Sequence, residues 1–231
     1  MKSFQILSLL LSYPSAELQS EAGALRALLA AEGLVPAAAQ KALLPLWESL
    51  AQGDLYDLQE AYVFLFDRTR SLSLNLFEHI HGESRDRGAA MVDLLAAYRA
   101  GGYDLSGSDL PDHLPLFLEF LATQDRAQAL TLLADAAPLL ALLAARLRAR
   151  GTPYAAVFDA LLALLPKALP KALAEVPEDE AQEDPNDLAA LDATYAEAQV
   201  VFGPDPGAGC PVSRDILAQM APPRPAMEKR L

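Results

Sequence analysis

The chain has 231 residues, a formal net charge of −13, one Cys and three His. A single Cys excludes an internal disulfide framework and a Cys-based zinc site, and the acidity excludes nucleic acid as a partner, because phosphate contacts need clustered Lys and Arg. Ala and Leu supply roughly 40% of the residues against about a dozen Val and Ile, which argues against a sheet protein and leaves an acidic, mostly helical, cytoplasmic one.

The opening run MKSFQILSLLLSYPSAE has the outline of a signal peptide, with Lys2 as its basic region. Its apolar stretch is short, and a cut after Ala16 places Pro14 where a small residue is wanted. A first core helix ending at Tyr13-Pro14 fits better, since Pro disfavours helix in the residue before it. Ser15 can cap a second helix running to about Ala31, with Glu17 in its first turn; Gly33 and Pro36 break it. The stretch from Pro36 to Leu50 reads helical, kinked or split by Pro45. Asp54 caps a segment whose Leu55, Leu58, Tyr62, Leu65 and Phe66 fall at helical spacing. Residues 72–77 (LSLNLF) alternate apolar and polar, as a short strand or an irregular loop.

Ser84 or Asp86 starts a helix through Met91, Leu94, Leu95 and Tyr98, stopped by Gly101-Gly102. Asp112 caps a helix carrying Leu116, Phe117, Phe120 and Leu121. Two helices, 125–137 and 139–150, are expected to meet near Pro138, with Arg146, Arg148 and Arg150 complementing the dipole of the second. The apolar run 129–147 is interrupted by Asp135, Pro138 and Arg146, and no membrane anchor is expected. Thr152 then caps a helix from Tyr154 to Leu165, with Pro153 in its first turn. After Pro166 the character changes. Residues 175–187 are an acidic run with two prolines, Asn186 or Asp187 caps a further helix to about Phe202, and the Gly- and Pro-rich stretch from Gly203 reads as a flexible tail. The expected organisation is all-α: a single globular multi-helix domain over 1–165, an acidic linker and extra helix over 166–202, and a tail over 203–231.

The scarce residues are concentrated. His79 and His81 lie in FEHIHGESRDR, and His113 in LPDH. Glu78-x-x-His81 has the spacing of a di-iron helix motif, but such sites need a second copy and two more Glu. On a helix His79 and His81 point about 200° apart. Asp112-His113 resembles part of a metal phosphohydrolase site, which needs more His and Asp than the chain offers. Cys210 has no His near it in sequence, no Gly-rich phosphate loop opens a helix, and there is no G-x-S-x-G elbow. No catalytic set, metal or cofactor is expected. The remaining signal is aromatic: Tyr62, Phe64, Phe66, Phe77, Phe117 and Phe120 flank the two polar segments, and an aromatic at helical spacing is usually core.

These residues carry a resemblance. Tyr62-Val63-Phe64-Leu65-Phe66-Asp67-Arg68, Ser71-Leu72-Ser73-Leu74, the stretch 76–88 (LFEHIHGESRDRG) and Ala90-Met91-Val92-Asp93-Leu94-Leu95 are similar to the signature of the NarJ family of respiratory nitrate reductase assembly chaperones. Leu10-Leu11-Ser12-Tyr13-Pro14, Leu110-Pro111-Asp112-His113-Leu114-Pro115 and the run 137–147 resemble it too, so the likeness covers residues 5–165. It implies a TorD-like helical bundle of the redox-enzyme maturation class. It also implies a cytoplasmic, non-enzymatic chaperone that binds the N-terminal segment of the reductase catalytic subunit and keeps it competent for molybdenum cofactor insertion. The class shares a Y-x-x-L-F element, matched by Tyr62, Leu65 and Phe66; the Glu usually four residues before that Tyr is Leu58 here. It also shares a P-D-H element implicated in partner binding, matched by Pro111, Asp112 and His113.

The resulting expectation is a helix-in-groove clamp. Tyr62, Phe66, Phe77 and Phe117 hold the apolar anchors of a basic amphipathic client peptide, Asp112 and Glu83 meet its cations, and His81 and His113 line the groove. The protein is expected to be a monomer or weak homodimer. The alternatives are a metal-dependent hydrolase using His79, His81 and His113, and a helical scaffold or regulator without chaperone activity.

Overall fold

The computed structural model describes residues 1–68, 70–81, 85–105 and 109–166. All lie in one compact unit, Met1–Leu191; the second unit, Asp192–Leu231, lies outside the described residues, as do the expected acidic run, extra helix, tail, Cys210, Ser84 and Glu83. The described residues are helical throughout, in the order α1 (Lys2–Leu10), α2 (Ala16–Glu32), α3 (Ala37–Ala42), α4 (Leu44–Gln52) and α5 (Leu55–Tyr62), followed by a π-helical turn (Val63–Asp67) and a 3-10 turn (Arg70–Leu72). Then come α6 (Leu76–His81), α7 (Arg85–Ala100), α8 (Leu114–Thr123), α9 (Arg126–Ala149) and α10 (Ala155–Leu162).

Local chemistry sets most boundaries. Ser15 caps α2 by accepting from the Leu18 amide at 3.1 Å, and Gly33 ends it in the left-handed region at φ 66°, open to a residue without Cβ. Pro45 splits the next stretch, sitting in the first turn of α4, where the missing N–H costs nothing. The Asp54 carboxylate accepts from Tyr56 N at 2.8 Å at the start of α5. Residues 72–77 form neither a strand nor a loop alone. They leave the 3-10 turn, make one isolated antiparallel bridge between Asn75 and His113, and enter α6.

Three expectations give way. The stretch 126–149 is one continuous helix with Pro138 inside it, not two. The buried residues Leu133, Ala137, Leu140, Ala144 and Leu147 are spaced four, three, four and three apart, so one apolar stripe crosses the proline and holds both halves against the core. Thr152 does not cap α10 with its hydroxyl; its carbonyl accepts from Ala155 N in a turn, and the helix ends at Leu162. Asp112 does not cap α8; His113 occupies that position without a side-chain bond, because the Asp112 carboxylate is engaged elsewhere.

The core lies where α1, α8, α9 and α10 meet. α1 packs along α8 and α2, α8 touches α9, and α9 runs against α10. Seven residues of α8 are buried, among them Leu114, Phe117, Leu118 and Leu121, as expected of a helix apolar on nearly every side. Ser8, fully buried on α1, donates to the Pro115 carbonyl at 2.8 Å, so its hydroxyl is satisfied inside the contact. α9 is long and apolar enough to cross a membrane by length and composition; here its stripe is covered by α8, α10 and the 3-10 turn. Arg146 on that stripe donates from Nη1 to the Ser71 carbonyl at 2.8 Å and ties the 3-10 turn down.

Candidate functional site

The two histidine-bearing segments meet. Leu76 N donates to the Asp112 carbonyl at 2.9 Å and Leu114 N to the Leu74 carbonyl at 2.8 Å, so the P-D-H element is stitched to the entrance of α6. Asp112 is fully buried, and its Oδ2 accepts from Phe77 N at 3.0 Å. The carboxylate thus caps α6 from another part of the chain and complements its dipole. Arg87 on α7 approaches the same oxygen, Nη2 to Oδ2 at 3.6 Å, while Tyr98 Oη, also on α7, donates to the Pro111 carbonyl at 2.7 Å. Asp112 therefore locks α6, α7 and the start of α8 together. Among the described residues, its Oδ1 and the Nε of Arg87 have no hydrogen-bond partner.

His79 Nε2 bonds the Ser73 carbonyl at 2.7 Å, and Glu78 pairs with Arg70 at 3.2 Å. Among the described residues no group of three or more His, Cys, Asp or Glu is arranged to hold a metal ion. His81 is half-buried at the end of α6 and packs edge-on against half-buried Phe77, ring centroids 5.8 Å apart. His113 is half-buried between carboxylates. Burial pushes its imidazole below the usual His range, only partly countered by Asp109, Asp112, Asp67 and Glu119. Desolvation raises the carboxyl of Asp67 above the usual range, an effect reduced by the neighbouring His113.

The shift in His113 fixes a sign. A His whose folded pKa lies below the unfolded one contributes stability that is complete above about pH 6.5 and is lost as pH falls toward the folded value, because the unfolded chain takes up the proton first. The urea midpoint of the wild type is expected to fall between pH 7 and pH 5.5, and His113→Gln is expected to flatten that part of the profile.

The aromatic residues expected in a groove separate into two groups. Tyr62 and Phe66 are buried, their rings 5.0 Å apart, and Phe66 meets Tyr154 of the α9–α10 turn edge-on at 5.1 Å. Phe117 is buried in α8. Of the residues expected to line it, Phe77, His81 and His113 keep partial exposure, and Glu83 lies outside the described residues. Tyr62, Phe66, Phe117 and Asp112 are thus buried in this structure.

Tyr62 has a different use. Its hydroxyl donates to the Leu11 carbonyl at 2.9 Å, and Gln59 Nε2 donates to the Pro14 carbonyl at 2.9 Å. These bonds clip the α1–α2 turn onto α5, and burial holds the Tyr62 phenol well above the ordinary range, as a donor. Tyr62→Phe leaves the Leu11 carbonyl short of one bond and is expected to cost about 1 kcal/mol of unfolding free energy in a urea titration.

The clip positions an open groove of about 300 Å³ whose walls include Tyr13, Tyr56, Glu60, Val63, Phe64 and Arg68. Tyr13 is 51% exposed and Tyr56 80% exposed, and the Arg68 guanidinium lies 5.7 Å from the Phe64 ring centroid. Neither Tyr13 nor Tyr56 is among the groove residues expected from the sequence. The available signal was phase: Tyr56 falls off the stripe of Leu55, Leu58 and Tyr62 that faces the core, on the side shared with Glu60.

Comparison with known proteins follows the same outline. A family model described as the nitrate reductase delta subunit matches residues 19–160. The nitrate reductase molybdenum cofactor assembly chaperone NarJ of Escherichia coli K12 is 47% identical over 205 residues, covering 88% of this chain and 86% of that protein. The probable assembly chaperone NarW of the same strain is 44% identical over 162 residues, 70% of each chain. The probable assembly chaperone NarJ of Bacillus subtilis 168 is 32% identical over 163 residues, 71% of this chain and 88% of that one.

Proposed function

Because the chain belongs to the nitrate reductase delta subunit family, we propose that it is a cytoplasmic assembly chaperone for a respiratory nitrate reductase. In this reading it binds the N-terminal segment of the catalytic subunit and keeps that subunit competent for molybdenum cofactor insertion, and it catalyses no reaction itself. The observation that carries the reading is 47% identity sustained over 88% of the chain to a relative named as such a chaperone. The structure is consistent with it in two respects. The segments 70–81 and 110–114, which hold all three histidines, are used for internal bonds that organise α6, α7 and α8. The surface also carries exposed aromatics beside carboxylates, the composition that suits an amphipathic, basic peptide.

Titration calorimetry of the full chain with a peptide copying the N-terminus of the catalytic subunit tests the contact. Saturable binding that weakens with added salt is the expected result. Absence of binding by protein verified as folded overturns it.

A further inference from the structure

We propose that the outer face of α5 and the π-helical turn, with Tyr13 beside it, is the surface on which a cationic amphipathic helix of the client docks; this rests on the chaperone reading above and adds where the client sits. Tyr56, Glu60 and Phe64 follow one another at four-residue intervals, so they line one side of the helix. Tyr13 joins them across the groove and is held there by its T-shaped contact with Tyr62, 5.6 Å between centroids, and by the clip on the α1–α2 turn. The platform is therefore set before any partner arrives, which spares the cost of ordering it on binding. Aromatic rings left half or more in water on a rigid element are the groups that become anchors at an interface, and tyrosine also keeps a polar tip for the rim.

Charge selects the occupant. From residue 54 to residue 68 the exposed charged side chains are Asp54, Asp57, Glu60 and Asp67 against Arg68 alone. Glu60 stands on the groove wall with Arg68, and the other three carboxylates add negative field along the same stretch of chain, so a partner that covers the rings is favoured by Lys or Arg beside its apolar side chains. A helix with one apolar and one basic face meets both demands. A second copy of this chain, with its net charge of −13, brings charge of the same sign to the face. An anionic lipid surface does the same.

The test uses the full chain, a synthetic peptide of about 15 residues (four turns) copying the N-terminus of the catalytic subunit, and low salt. Tyr56→Ala combined with Glu60→Lys is expected to weaken binding by about tenfold or more, while Arg68→Glu tightens it a few-fold. Val92→Ala, on the 65% exposed position of α7, serves as a control expected to bind as the wild type does. The substituted side chains are exposed, and urea midpoints check that each variant is folded. Opposite shifts from the two charge changes support a docking face, since a purely structural role gives no gain for Arg68→Glu. If the wild type binds and both variants bind equally well, the surface is wrong and the chaperone reading stands. If the folded wild type does not bind, both fall.

Discussion

Asp112→Ala is expected to destabilise the protein by about 2–4 kcal/mol, read as a fall in the urea midpoint at unchanged slope. The substitution removes a charge-assisted bond to Phe77 N at 3.0 Å and strips Arg87 of its carboxylate. A broken buried pair costs more when both partners are dry. Here the Arg87 side chain keeps 20% exposure, so water recovers part of the loss. Asp112→Asn keeps an acceptor for Phe77 N but not the charge, and is expected to lose about half as much. Hydrogen exchange should place the damage: amides of α6 and the first turns of α7 lose protection, while those of α1 and α9 keep theirs. An Asp112→Asn protein of wild-type stability that binds the client peptide poorly would instead make this carboxylate a direct contact, contrary to its complete burial.

Pro138→Ala is expected to act in the opposite direction, stabilising the chain by about 1–3 kcal/mol. Pro138 lies inside α9, exposed, and denies the Ala134 carbonyl its helical partner. The alanine restores that bond and continues the helix without touching the buried stripe. Its gain is reduced because proline also restricts the unfolded chain, an effect of about 0.4–1 kcal/mol. A variant that loses stability would mean that the irregularity at Pro138 is needed for α9 to follow the core on both sides of it.

The sequence made the helices legible wherever a boundary is chemical and local. Ser15, Asp54 and Asp125 cap the helices that follow them, and Gly33 and Pro45 stop or split helices as their backbone preferences require. It failed where the deciding partner is distant. Asp112 precedes α8 as an ordinary cap would, yet its carboxylate serves α6, thirty-five positions away. Pro138 reads as a helix end, and tertiary packing along one stripe overrode its local cost. The π-helical turn, closed by Arg68 N on the Val63 carbonyl at 2.9 Å, has no signature in the residue pattern.

The candidate site was half legible for a related reason. Hydrophobic periodicity tells which aromatics lie on an apolar stripe, and a stripe marks core at least as readily as a groove. Tyr62, Phe66 and Phe117 lie on such stripes and are core. Of the surface aromatics, Tyr56 is out of phase with the stripe of its helix, and Tyr13 lies in the turn between α1 and α2. The net charge of −13 excluded nucleic acid at the outset; on the structure, Glu60 stands beside those exposed rings, and Asp54, Asp57 and Asp67 are exposed on the same stretch of chain.

The most direct measurement of the central claim is the molybdenum content of the nitrate reductase catalytic subunit purified from cells lacking this protein. A chaperone that holds the subunit competent for cofactor insertion predicts that the subunit accumulates with most of its cofactor missing and that the wild-type gene restores it. A cofactor load equal to that of the parent cells would contradict the account.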